Sequence, residues 1–197
     1  MTGGCLAAIW TGSSRNWSRQ PSPASTDLVM LELAIISSPV GPLTIAAHQG
    51  SVCAIWFGSE GEARLLVSRW YPDTAVKSTR DPAGAVSALS SYFGGELEAL
   101  DELPLELHGT TFQRLVWEQL RKVRAGTTAS YQDIARAIGA PSAVRAVGAA
   151  NGANPIPIVV PCHRIIGSNG SLTGYGGGLD RKRWLLAHEG LRLNFDA

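Results

Sequence analysis

The chain has 197 residues, 45% of them apolar, which is enough to bury a core without disulfide or metal staples. Its three cysteines, at positions 5, 53 and 162, are far apart and include no Cys-x-x-Cys pair, which argues against a disulfide framework and a cysteine zinc site. The formal net charge of +1 conceals a split: residues 1–109 carry 6 Lys+Arg against 11 Asp+Glu and residues 110–197 carry 11 against 5, so the second half is net +6, a pointer to a nucleic-acid-facing domain.

In chain order, residues 1–10 lack a basic start and are too short to span a membrane, so the reading is a cytoplasmic protein with no membrane association. Residues 11–27 are rich in Ser, Pro, Thr and Arg, and 1–29 reads as a disordered leader. A first domain is expected over 30–107. Apolar runs at 29–36, 43–47 and 52–57, separated by Ser38-Pro39-Val40-Gly41-Pro42 and Gln49-Gly50, predict a small antiparallel sheet. Helices are predicted over 61–70 and 82–93, the second with Pro82 in its first turn, followed by an acidic connection over 94–109. Nothing in this half points to chemistry.

A second domain is expected over 108–197. It opens with a helix near 112–123 and a capping box at Ser130-Tyr131-Gln132-Asp133 that predicts a helix over 131–138. Ser142 follows the turn at Gly139 and is positioned to cap a helix over 143–151, made of small residues around Arg145. Two short helices joined by a glycine-containing turn fit a helix-turn-helix, or equally an αα-hairpin packed into a core. Beyond a glycine-rich stretch, Leu172 to Leu179, Asp180 is expected to cap a last helix over 181–189. Arg181, Lys182 and Arg183 in its first turn oppose the helix dipole, which suggests an external anion.

The chemistry concentrates in Asn154-Pro-Ile-Pro-Ile-Val-Val-Pro-Cys-His-Arg-Ile-Ile166. A free cysteine is ordinarily a small buried hydrophobe. Here three prolines rule out an ordinary helix interior or central strand, the aliphatic residues between them imply burial, and His163 and Arg164 flank the thiol. That setting favours a thiolate and makes Cys162 a candidate nucleophile. A thiol hydrolase pairing Cys162 with His163 or His188 is the rival reading, although adjacent Cys and His rarely point at one another.

Pro-Cys-His-Arg at 161–164, Ser-Tyr-Gln at 130–132, Arg-Ala-Val-Gly at 145–148, Asn-Pro at 154–155, Tyr-Gly-Gly-Gly at 175–178 and Leu-Ala-His-Glu-Gly at 186–190 stand in one register. With them the sequence closely resembles the O6-alkylguanine-DNA alkyltransferases over about residues 30–193. The resemblance implies an α+β fold, with a ribonuclease-H-like sheet domain followed by a mostly helical, winged-helix-like DNA-binding domain. It implies irreversible transfer of the alkyl group of O6-alkylguanine, and of O4-alkylthymine, in double-stranded DNA to Cys162, once per molecule. His163 would take the thiol proton, oriented by Glu189, and Asn154 would brace the site.

By the same resemblance Tyr131 would approach the base or its phosphate, and the carbonyls of Cys162 and Ile165 would accept from the exocyclic amine. The amide of Gly176, in the Tyr175 loop, would donate to O6. Arg145 would fill the space left by the extruded base, Gln132 and Ser168 would touch the DNA backbone, and Arg164 would bridge the domain interface. Expected, too, are a monomer, no cofactor and no metal: Cys5, Cys53, His48 and His108 do not match the zinc pattern of some members. A non-catalytic damage sensor of the same fold lacks the acceptor cysteine that is present here.

Overall fold

The computed structural model describes residues 30–191, so the leader expected over 1–29 lies outside the described residues. Strand β1 (Met30–Ile36) buries Leu31 and Leu33 and leaves Met30 and Ile35 exposed. It pairs antiparallel with β2 (Leu43–His48), which pairs antiparallel with β3 (Ser51–Phe57). The β2–β3 hairpin closes through Gln49 and Gly50, both at positive φ (47° and 77°), as a two-residue turn matched to the strand twist requires.

Helix α1 (Glu60–Val67) starts at a capping box between Ser59 and Glu62 and stops three residues short of the predicted end. It leads to β4 (Ala75–Ser78), which joins β1 in parallel and completes the order β3-β2-β1-β4. The sheet is therefore not wholly antiparallel as expected. Of β4 only Val76 is even half-buried, so no apolar alternation announces the strand. Residues 82–93 also divide: Pro82–Gly84 forms a separate 3-10 turn, and α2 (Ala85–Phe93) begins after Ala83 and Gly84 enter the left-handed region at φ 52° and 73°. The Asp81 carboxylate accepts from the Val86 and Ser87 amides at 2.7 and 3.3 Å, and Pro82 is not part of the helix.

One face of the sheet packs Leu31, Leu33, Ala46 and Ala54 against Val67 of α1. From the other face Leu43, Ile45, Val52 and Ile55 enter a larger core with Leu89 and Tyr92 of α2 and with Trp117, Val147, Ile156 and Leu185 of the second half. The acidic connection is tied to β3, since Val52 donates to the Pro104 carbonyl at 2.8 Å and Glu106 donates to the Val52 carbonyl at 2.9 Å.

Helix α3 (Thr111–Leu120) has a Thr110–Gln113 capping box, and its fully buried Trp117 donates Nε1–H to the Ala150 carbonyl at 2.8 Å. A two-residue strand β5 (Ala129–Ser130) leads into α4 (Tyr131–Ala137), whose Ser130–Asp133 capping box forms as expected. Helix α5 (Val144–Gly152) follows, but Ala143 occupies its cap position and Ser142 makes no capping bond. Strand β6 (Ile165–Ile166) pairs in parallel with β5, which sets the end of the cysteine loop beside the start of α4. Helix α6 (Leu179–His188) is capped two positions before the expected residue, with Gly178 at the cap and Asp180 in the first turn. Among the described residues no helix is long and apolar enough to cross a membrane.

Candidate active site

The loop from Asn154 to Pro161 is held from both halves. Its Pro155 carbonyl accepts from Ile55 of β3 at 2.9 Å, and Ile156, Ile158 and Val160 are buried. Ile158 sits at φ 76°, a conformation that costs a β-branched residue about 1–3 kcal/mol and is kept where surrounding structure enforces it. Asn154 is the internal strut. Its Oδ1 accepts from the Ile156 amide at 3.0 Å, and its Nδ2 donates to the Val160 carbonyl at 2.8 Å and to Cys162 Sγ at 3.1 Å. Cys162 then opens a single 3-10 turn with His163 and Arg164.

The electrostatics of this turn differ from the sequence expectation. Cys162 is 4% exposed, and burial pushes its thiol up to about 11 despite the Asn154 bond and the Lys182 charge. Arg164 does not stabilise the sulfur. Its guanidinium donates to Glu189 (Nε to Oε2 at 3.0 Å, Nη2 to Oε1 at 2.9 Å) and to the Val123 carbonyl at 2.6 Å. It also lies against the Tyr92 hydroxyl and lines a groove with Leu97, Glu98 and Asp101 of the first half, so it stands at the domain interface as expected. Tyr92 completes the bridge, its hydroxyl donating to Glu189 at 2.8 Å.

Burial opposes ionisation of Glu189, but donors from His163 and Arg164 outweigh it and lower the carboxyl to about 2. His163 places Nε2 at 2.9 Å from this carboxylate. An ionised carboxylate only accepts, so Nε2 carries the proton and Nδ1 holds a lone pair. Burial also lowers the His163 pKa, and its Nδ1 is buried without a partner. The imidazole is thus neutral and oriented, with a free acceptor on the turn that carries the thiol.

Helix α6 contributes inward. Lys182 is fully buried, with Nζ donating to the Ile165 carbonyl at 2.5 Å and the Thr173 carbonyl at 3.2 Å. Burial lowers its pKa to about 8, against the pull of Cys162. Arg181 donates to the Val40 and Gly177 carbonyls, both at 2.6 Å, and stacks 5.0 Å over the Phe57 ring. Arg183 lies 3.1 Å from Asp180. Arg181 and Lys182 therefore serve the fold, contrary to the expected external anion.

Cys162 opens on a cavity of about 140 Å³. The structure brings Asn154, Tyr175 and Gly176 into its lining, as expected from the sequence, and adds Asn151 and Gly152 from the end of α5. The opposite wall is Ile55, Trp56 and Phe57 of β3. Phe57 meets Tyr175 edge-on at 6.0 Å, and a side chain at Gly177 would lie 2.8 Å from its ring, so only glycine allows this loop to close on the strand. The Tyr175 hydroxyl is buried with no hydrogen-bond partner, yet lies near enough to Cys162 to favour its anion.

The other candidates lie outside this lining. Ile165 is fully buried, its carbonyl taken by Lys182. Tyr131 packs beside Gly148 of α5, its hydroxyl accepting from Thr173 at 3.1 Å. Gln132 and Ser168 line a separate groove with Ser130 and Arg136, and Gln132 donates to the Pro141 carbonyl at 2.9 Å. Arg145 is exposed on α5. Sequence reasoning missed Asn151, Trp56, Phe57, Tyr92 and Lys182. Asn151 closes the helix predicted over 143–151, three residues before Asn154, and because α5 ends at Gly152 no helical period joins the two. The others reach the site from distant segments. Among the described residues no group of three or more His, Cys, Asp or Glu is placed to hold a metal ion.

Residues 32–107 match the ribonuclease-like domain of 6-O-methylguanine DNA methyltransferase, and residues 111–191 match its DNA binding domain. The methylated-DNA--protein-cysteine methyltransferase of Mycobacterium bovis is 49% identical over 167 residues, covering 85% of this chain and 97% of its own. That of Salmonella typhimurium is 46% identical over 162 residues, covering 80% and 95%. A crystal structure of Mycobacterium tuberculosis OGT in complex with DNA superposes with a TM-score of 0.68 at 44% identity, covering 82% of this chain and 92% of that one. With two family domains in order and near-complete relatives at such identity, the chain belongs to the 6-O-methylguanine DNA methyltransferase family.

Proposed function

We propose that the protein repairs DNA by direct reversal, moving the alkyl group of O6-alkylguanine, and of O4-alkylthymine, onto Cys162. The observation that carries the reading is the neutral, Glu189-oriented His163 with its unpartnered Nδ1, on the same turn as a buried thiol that faces a cavity. Burial keeps the resting sulfur protonated, so ionisation accompanies reaction: a water relays the thiol proton to Nδ1, and Lys182 favours the anion so formed. The sulfur lone pair then forms the S–C bond while the C–O6 bond breaks. Its electrons stay on the base, which takes a proton from water to become neutral guanine, while the thiol proton stays on His163. Tyr131 stands at the approach to favour a neutral leaving base. The S–C bond joins an unactivated saturated carbon to a poor leaving group, so the thioether is not hydrolysed and each molecule acts once.

A base in a duplex must be turned out of the stack to reach a buried sulfur. In this reading α4 and α5 form the helix-turn-helix, the small residues of α5 allow close approach to the minor groove, and exposed Arg145 fills the vacated space. Gln132 and Ser168, on their common groove, contact the backbone, and Gly176 donates its amide to O6. The protein works as a cytoplasmic monomer on double-stranded DNA, with domains 30–107 and 108–197. Peptide mass spectrometry after incubation with an O6-methylguanine duplex tests this. The expected result is one methyl, on the Cys162 peptide, at one per molecule; repeated turnover or label on another residue contradicts it.

A further inference from the structure

Asn151 ends α5 on the cavity and is 4% exposed. Only half of its amide is satisfied. Its Nδ2 donates to the Cys162 carbonyl at 3.5 Å, which sets the amide's orientation because a carbonyl requires a donor, while Oδ1 is buried with no partner. Asn154, three residues on, has bonds at both ends of its amide. Folded proteins rarely leave a buried acceptor unpaired without a use for it.

An O6-alkylated guanine narrows what that use can be. With the alkyl group on O6, ring atoms N1, N3 and N7 are all acceptors, and the exocyclic amine is the base's only donor. We propose that Asn151 Oδ1 accepts a hydrogen bond from this amine, making Asn151 a specificity-determining residue that reads the base as guanine; the inference rests on the proposed function above. Of the two carbonyls that the family resemblance assigns to the amine, Ile165's lies outside the cavity lining and accepts from Lys182. Cys162's accepts from Asn151 itself. Asn151 therefore steadies one acceptor of the nucleophile's turn and supplies another.

The test compares duplexes carrying O6-methylguanine with duplexes carrying O6-methylhypoxanthine, which lacks only the amine. Single-turnover methyl transfer to Cys162 is measured for the wild type and for Asn151→Ala. The wild type should react about tenfold more slowly with the amine-less base, the worth of one hydrogen bond. Asn151→Ala should lose about as much on O6-methylguanine and little on O6-methylhypoxanthine, so that the ratio falls towards one. Equal slowing on both substrates, with the wild-type ratio kept, would overturn the assignment and leave Asn151 a structural residue. Asn151→Leu, of similar size and apolar, carries the same expectation if the alanine variant is too unstable to assay. A wild type that methylates itself from neither duplex refutes the alkyltransferase reading instead.

Discussion

The two walls of the cavity are built on different principles. On the helical side polar groups are tied together: Asn154 to the sulfur, His163 to Glu189, and Glu189 to Arg164 and Tyr92. On the sheet side Ile55, Trp56 and Phe57 offer no group that handles a proton, and Trp56 spends its N–H on Glu62 at 3.4 Å. The difference separates chemistry from enclosure. The helical half supplies the base and the nucleophile, and the sheet half completes the dry setting in which a thiol stays neutral until its proton has a destination.

The largest effect is expected from breaking the helical side at Glu189. Glu189→Gln leaves Arg164 a buried cation without its carboxylate, which costs about 3–5 kcal/mol. It also frees the His163 tautomer, so methyl transfer should fall sharply; urea unfolding and single-turnover kinetics measure the two losses. The same group sets acid sensitivity. Its folded pKa of about 2 lies below the ordinary 4.5, so its stabilisation is complete above 4.5 and disappears as pH falls towards 2. His163, lowered by burial, adds a loss that begins below its ordinary 6.5. Wild type should therefore lose more stability than Glu189→Gln between pH 4.5 and 2, and parallel curves would remove Glu189 from the account.

Breaking the sheet side should do less. Phe57→Ala removes the ring that Arg181 covers and Tyr175 abuts, so the glycine loop loses its backstop. The ring is only half-buried, and stability should drop by about 1–2 kcal/mol in thermal unfolding. Arg181→Met should mimic part of this, and the double variant should fall short of the sum because both act on one loop. Full additivity would show that the arginine and the ring work separately. The smallest effect sharpens the division. Lys182→Met removes the cation that faces Cys162 at neutral pH, so labelling of the Cys162 peptide by iodoacetamide below pH 8, where Lys182 is charged, should be slower than in the wild type.

What the sequence revealed follows the range of the interactions. The Ser130–Asp133 capping box and the proline-stiffened Cys162 loop are local, and both are visible in a few consecutive residues. Caps at Ser142 and Asp180 were each placed off the true position, because a helix start depends on backbone angles that Ala143 and Gly178 adopt without side-chain help. Tyr92 reaches Glu189 across 97 residues, and Phe57 meets Tyr175 across the two halves, so no local pattern marks either. The first-turn cations of α6 misled for a related reason. Their positions oppose the dipole, but Arg181 and Lys182 bend back to carbonyls that only the folded chain brings near.

The central claim is that Cys162 rests as a neutral thiol and ionises only as His163 receives its proton. The direct measurement is the apparent pKa of Cys162 in the free wild-type protein, from the pH dependence of iodoacetamide labelling followed on the Cys162 peptide. The account predicts ionisation near pH 11. A thiolate already formed at or below the ordinary value of about 8.5 would contradict it and make His163 a counter-ion in place of a proton acceptor.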